Sequence, residues 1–172
     1  MREFETKVLD IDVDSVRNTL AKLNAKEFPE VLLKRWVFII AENEWIRLRT
    51  DGSKTTLTFK KKIGSGVSET EEIEATVSDF RETAAIFSRL SFKESYYQEN
   101  KRIVYTLDDS QFMIDTWPGI PSYLEVEANS EENVIKGLQM LHLSGLDVGN
   151  LSVKDVYVRY GKNLHHSKEL KF

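Results

Sequence analysis

The sequence predicts an α+β fold: a closed, eight-stranded antiparallel β-barrel with amphipathic helices packed outside. Three observations carry this. Strand-like segments with one apolar and one ionic face recur along the chain, amphipathic helical stripes are available to cover the apolar faces, and the ionic faces are sorted by sign rather than mixed. A solvated strand face has nothing to organise its charges. Sorted signs make sense if the sheet curls with its ionic face inward, and closure also removes the sheet edges.

The first strand, residues 2–11, places Glu3, Glu5 and Lys7 on one face and Phe4, Thr6 and Val8 on the other. Asp12 has the character of an N-cap, and Val13, Val16, Leu20 and Leu23 form a helical stripe behind it. Residues 26–30, with Pro29, read as a connection or edge. A second strand, 31–40, is apolar but sets Lys34 beside Arg35; Glu42-Asn43 turns it into a third, 44–50, with Trp45, Arg47 and Arg49 opposite Ile46 and Leu48. Asp51-Gly52 is a hairpin signal. The fourth strand, 54–62, alternates Thr56, Thr58, Lys60 and Lys62 with Leu57, Phe59 and Lys61. After Gly64-Ser65-Gly66 a fifth, 68–77, sets Glu72 and Glu74 against Ile73, Ala75 and Val77.

Ser78 is expected to cap a second helix with the stripe Phe80, Ala84, Phe87 and Leu90. A long strand or bent pair follows through Tyr96, Arg102, Val104 and Leu107. Asp108-Asp109 turns the chain into a seventh strand, where Asp115 opposes Phe112, Ile114 and Thr116. Residues 117–121, Trp-Pro-Gly-Ile-Pro, force a break. The eighth strand, 122–128, carries Glu125 and Glu127 against Leu124, Val126 and Ala128. Ser130 caps a helix with Val134, Leu138 and Leu141, and Ser152 with Asp155 forms a capping-box pattern for a last one.

At 172 residues, 41% apolar and 30% charged, one domain spanning 1–172 is expected. The net charge of −4 argues against a nucleic-acid or anionic-membrane partner, and no apolar run approaches the ~20 residues of a membrane span. The absence of cysteine excludes disulfides and thiolate metal sites and fits a cytoplasmic location.

The sorted acids are Glu3, Glu5, Glu72, Glu74, Asp115, Glu125 and Glu127; the bases are Lys7, Arg47, Arg49, Lys60, Lys62 and Arg102. Burying them dry costs several kcal/mol per ion, so the interior has to be wet and filled by ions. Clustered carboxylates suit Mg2+ or Mn2+, and guanidinium forks suit phosphate oxygens. Together they call for a metal–polyphosphate ligand.

With Glu3-x-Glu5-x-Lys7, Arg47-x-Arg49, Thr58-x-Lys60, Glu72-x-Glu74, Arg102, Asp115 and Glu125-x-Glu127 in this order, the chain resembles the CYTH superfamily, the triphosphate tunnel metalloenzymes. Its members include class IV adenylyl cyclases, thiamine triphosphatases and inorganic triphosphatases. The resemblance implies an eight-stranded tunnel, with Glu3, Glu5, Asp115, Glu125 and Glu127 on metal. It implies Lys7, Arg47, Arg49, Lys60, Lys62 and Arg102 on the triphosphate, catalytic roles for Glu5, Lys7, Glu72 and Glu74, and a polar contribution from Lys154 or Tyr157. One departure is Lys34-Arg35-Trp36-Val37-Phe38, where many members carry an aspartate before an aromatic pair.

The implied chemistry is metal-assisted transfer on a small-molecule triphosphate: ATP, thiamine triphosphate or inorganic triphosphate. Hydrolysis is favoured over cyclisation of ATP to cyclic AMP and pyrophosphate, because the polyphosphate grip is visible and a nucleoside pocket is not. A non-catalytic nucleotide- or polyphosphate-binding module is the reading of another class, and a homodimer is compatible with all three. Bland roles suit the remaining residues: His142 as packing or surface, His165-His166 as an exposed tail, Gly64-Ser65-Gly66 as a strand connection, and Trp45 and Trp117 as core or rim.

Overall fold

The computed structural model describes residues 4–62 and 70–172, the side chain of Thr70 excepted. The described elements are β1 (Phe4–Val8), α1 (Val13–Lys22), β2 (Lys26–Glu27), β3 (Val31–Ala41), β4 (Glu44–Thr50), β5 (Thr55–Lys62) and β6 (Thr70–Val77). There follow α2 (Phe80–Phe87), β7 (Glu94–Leu107), β8 (Ser110–Thr116), β9 (Tyr123–Ala128), α3 (Glu131–Met140), α4 (Val153–Arg159) and β10 (Glu169–Leu170). The chain forms two compact units, and the long β7 contributes to both: unit 1 is Met1–Val31 with Lys101–Asn163, and unit 2 is Leu32–Asn100 with Leu164–Phe172.

In unit 1 the antiparallel order is β1-β9-β8-β7, with β2 along the far side of β7. Alternation sends Val8, Leu124, Val126, Phe112, Ile114, Ile103 and Tyr105 to one face, where Val16 and Leu20 of α1 and Val134 and Leu138 of α3 complete the core. The expected caps form: Asp12 accepts from Ser15 N at 3.0 Å, and Ser130 accepts from Asn133 N at 3.2 Å. Ser152 and Asp155 exchange both capping-box bonds. Gly137 lets α3 lie close to the sheet, since a Cβ there would meet Phe112 and Val126 at 3.1 Å. His142 is exposed just beyond this helix at φ 58°.

Unit 2 is a run of hairpins, β3-β4-β5-β6, with β3 beside β7 and the two-residue β10 parallel to β7. Gly52 at φ 95° makes the β4–β5 turn, and Asp51 Oδ1 accepts from Ser53 N and Lys54 N at 2.8 and 2.7 Å. Those amides hold the Asp51 carboxyl below its ordinary pKa. Phe38, Phe87 and Phe92 form an aromatic cluster with centroids 5.2–5.8 Å apart, which fixes α2 on the sheet. His165 is not an exposed tail residue: it stacks on Tyr96 at 3.8 Å.

Two further expectations are corrected. The closed eight-stranded barrel is not formed among the described residues; β1 has β9 as its strand partner, β6 has β5, and the antiparallel sheet is open. The reason on the β1 side is local. Lys7 N donates to Gly149 O at 3.2 Å, Val148 N donates to Lys7 O at 2.8 Å, and Val8 bridges Asp147, so another segment already covers that edge. The cap of α2 is Asp79, whose Oδ1 accepts from Glu82 N at 2.7 Å, rather than Ser78; a carboxylate also answers the helix dipole. The short β2 falls in residues 26–30, read as a connection or edge, and β10 adds one strand to the expected set. Glu3 and the Gly64-Ser65-Gly66 connection lie outside the described residues.

Candidate functional site

In unit 1 the face opposite the core gathers the charges. Register sets Lys7 across from Glu125 and Glu5 across from Glu127 on β1 and β9, and Arg102 across from Asp115 on β7 and β8. Lys7, 3% exposed, places Nζ 3.2 Å from Glu125 Oε2 and 3.6 Å from Glu5 Oε1. Burial pulls its pKa down, but Glu125, Glu5 and Asp115 outweigh that and hold it above the ordinary lysine value, so the ammonium stays charged. Arg102 forks onto Asp115, Nε to Oδ1 at 2.7 Å and Nη2 to Oδ2 at 2.6 Å, with Glu125 Oε1 3.5 Å from Nη2. Burial disfavours this guanidinium's charge as well, and Asp115 and Glu125 again reverse the sign and raise its pKa.

Glu5, Glu125 and Glu127 each bring a carboxylate oxygen within 4.8 Å of the others. Three hard oxygen donors at that separation could hold a divalent cation. Asp115, expected beside them, has both oxygens on Arg102.

Unit 2 carries the other half of the expected set. Arg47 Nη2 donates to Thr58 Oγ1 at 3.4 Å and lies 3.9 Å from Glu74 Oε2, while the Thr58 hydroxyl donates to Glu74 at 2.8 Å. Lys60 is paired with Glu72. Arg49 is half-buried on the same face, and Lys62 is exposed. Lys154 is exposed on α4; Tyr157 is buried, donates to Pro118 O at 2.7 Å and meets Trp117 edge-on. Burial pushes the Tyr157 hydroxyl up to about 12. Trp117, 2% exposed, is core.

Two participants, Met113 and Tyr123, were not singled out from the sequence, and Arg35 was noted there only as a departure from the family pattern. Met113 Sδ lies 2.8 Å from Arg102 Nη1, and the odd-numbered phase it shares with Asp115 was the available signal. Buried Tyr123 lies in register with Asp115 and so shares its face. Arg35, 8% exposed, donates through Nη2 to buried Asn100 and sits directly across from Arg49.

An α+β protein with an antiparallel sheet, one charged sheet face in each unit and a carboxylate triad is the class that fold and site define. The chain belongs to the CYTH family: the model described as the CYTH domain matches residues 1–147. A "putative adenylate cyclase" of Methanocaldococcus jannaschii is 30% identical over 134 residues, 74% of this chain and 77% of that protein. A conserved hypothetical protein from Pyrococcus furiosus is 25% identical with TM-score 0.73, covering 88% of this chain and 97% of its own. A Hippeastrum structure, described as a "putative adenylyl cyclase" that reveals a dominant triphosphatase activity, is similar in fold, with TM-score 0.58, 18% identity and coverage of 95% and 98%. No helix among the described residues is long and apolar enough to cross a membrane.

Proposed function

We propose that residues 1–172 act as one domain, a divalent-metal-dependent enzyme of the cytoplasm that hydrolyses an inorganic or organic triphosphate. The observation that carries this is the triad Glu5, Glu125 and Glu127, with oxygens within 4.8 Å and a buried, charged Lys7 against two of its members. The triad fits a hard cation such as Mg2+ or Mn2+, which when bound supplies Lewis-acid stabilisation to phosphoryl oxygens.

Lys7 and Arg102 are fixed cations that bind phosphoryl oxygens and need no reorganisation to do so, because Glu125 and Asp115 already orient them. Asp115 is thus a positioning residue for Arg102. Arg47, Arg49 and Lys60 bind further phosphoryl oxygens, with Arg47 offering a fork and Lys60 a point charge. Glu72 and Glu74 pair with Lys60 and Arg47 until a phosphoryl oxygen takes their place. Hydrolysis is preferred because the polyphosphate grip is built from named side chains, and the Hippeastrum neighbour is described with a dominant triphosphatase activity.

The second reading, an adenylyl cyclase, rests on the Methanocaldococcus jannaschii relative's name. Inorganic triphosphate, ATP and thiamine triphosphate, each with Mg2+ and with Mn2+, separate the readings when the products are identified. Release of orthophosphate supports hydrolysis, and cyclic AMP with pyrophosphate supports the cyclase. Tight triphosphate binding without turnover by either metal would leave a binding module and end the enzyme reading.

A further inference from the structure

The sheet register of unit 2 contains a row that the proposed function does not use in full. Across β3, β4 and β5, Arg35 stands opposite Arg49, and Arg49 opposite Thr56. Residues directly opposite share a face, and like charges so placed repel. Arg35 arrives there through a bulge. The Glu42-Asn43 turn pairs Ala41 with Glu44, and in that register Arg35 would pair with Thr50, on the face of Leu48 and Ile46. The register shift between Ile39 and Ala41 leaves Ile40 as the extra residue and turns Arg35 to the face of Arg47 and Arg49.

Two features mark the position. A guanidinium 8% exposed faces another across one strand spacing, with Asn100 holding one of its nitrogens. The Thr56 hydroxyl, in a residue 6% exposed, has no hydrogen-bond partner among the described residues. Two guanidiniums and the Thr56 hydroxyl on one row present donors of the kind a tetrahedral oxyanion accepts from.

We propose that Arg35 and Thr56 form, beside Arg49, an additional anion subsite that takes a fourth phosphoryl group, so that linear chains of four or more bind more tightly than three. This rests on the reading that Arg47, Arg49 and Lys60 hold a phosphoryl chain. The rows of Lys60, Arg47 and Arg49 already span about 13 Å along the strands, and Arg35 widens the grip sideways by about 4.8 Å.

The test is calorimetry in EDTA with linear tripolyphosphate and tetrapolyphosphate. Wild type is expected to bind tetrapolyphosphate about tenfold more tightly, as one charge-assisted hydrogen-bonded group implies. Arg35→Gln should abolish the preference and keep tripolyphosphate affinity within about twofold. Thr56→Val should reduce the preference about threefold. Valine keeps the volume and removes a hydroxyl that bonds to nothing described, so this variant carries the test if Arg35→Gln does not fold. Equal affinities in wild type, an unchanged preference in Thr56→Val, or Arg35→Gln weakening both ligands alike each overturn the subsite. Failure of wild type to bind either ligand, both in EDTA and with Mg2+ restored, instead overturns the triphosphate reading on which the subsite rests.

Discussion

The charged faces of the two units are built on opposite plans. In unit 1, four carboxylates, Glu5, Asp115, Glu125 and Glu127, accompany two cations, Lys7 and Arg102. Lys7, Asp115 and Glu125 are all buried. In unit 2, five cations, Arg35, Arg47, Arg49, Lys60 and the exposed Lys62, accompany two carboxylates, Glu72 and Glu74, whose side chains keep 42% and 43% of their exposure. Burial decides what each arrangement can do. Breaking a buried pair costs about 3–5 kcal/mol, whereas an exposed pair contributes about 0–1 kcal/mol. Unit 1 therefore holds fixed charges, and unit 2 holds cations whose carboxylate partners a ligand oxygen can replace at little cost.

The largest expected effect tests the fixed half. Asp115→Ala removes the buried bidentate partner of the half-buried Arg102 guanidinium and should destabilise the protein by about 3–5 kcal/mol. For a chain of this length that lowers the Tm by roughly 6–20 °C. A loss below about 1 kcal/mol in chemical denaturation would place this pair with the exposed ones and erase the contrast between the units.

Next comes Glu5→Gln. Glu5 is half-buried, so the fold should persist, while triphosphate turnover falls about 100-fold or more and a higher metal concentration is needed to recover it. Turnover retained within threefold at unchanged metal dependence removes Glu5 from the metal set. Lys60→Ala is the counterpart in unit 2. About tenfold weaker triphosphate binding is expected, with metal affinity unchanged and stability altered by less than about 1 kcal/mol. Calorimetry giving wild-type triphosphate affinity would count against the role of Lys60.

Lys7 gives the same contrast a pH signature. Its pKa is raised in the folded chain, so its stabilisation is fully present below about 10.5, the unfolded value, and fades as pH climbs through the folded one. Thermal scans above pH 10.5 should show the wild-type Tm falling faster than that of Lys7→Met. Parallel curves would mean that Lys7 gains nothing from Glu125 and Glu5.

How much of this was legible in the sequence depended on whether a local pattern fixed the answer. Period-two alternation placed Glu5, Lys7, Glu125 and Glu127 on one face of β1 and β9, and Asp115 on that of β8, because the opposite phase was apolar; Arg102 was named as a base on β7 with no face assigned. Alternation gives a face but not a partner. Nothing in spacing alone says that both Asp115 oxygens go to Arg102, or that Asp147 to Gly149, with no strand pattern of their own, cover the edge of β1 and keep the sheet from closing there. Arg35 shows the limit most clearly. Its face depends on one extra residue in the hairpin, and a bulge at Ile40 leaves no signature in a run of apolar residues.

The smallest effect is the one that probes the contrast most directly. If Glu72 only occupies Lys60 until a phosphoryl oxygen takes its place, then Glu72→Gln removes a competitor and not a catalyst. Stability should change by less than about 1 kcal/mol, as for other exposed pairs, and triphosphate affinity should rise about two- to fivefold. The gain should shrink as salt is added, because the pair being replaced is screened by the same ions. The opposite sign is equally readable. Turnover falling at saturating triphosphate, with affinity unchanged, would make Glu72 a participant in the chemical step, and the acids of unit 2 could no longer be treated as groups that a ligand simply displaces.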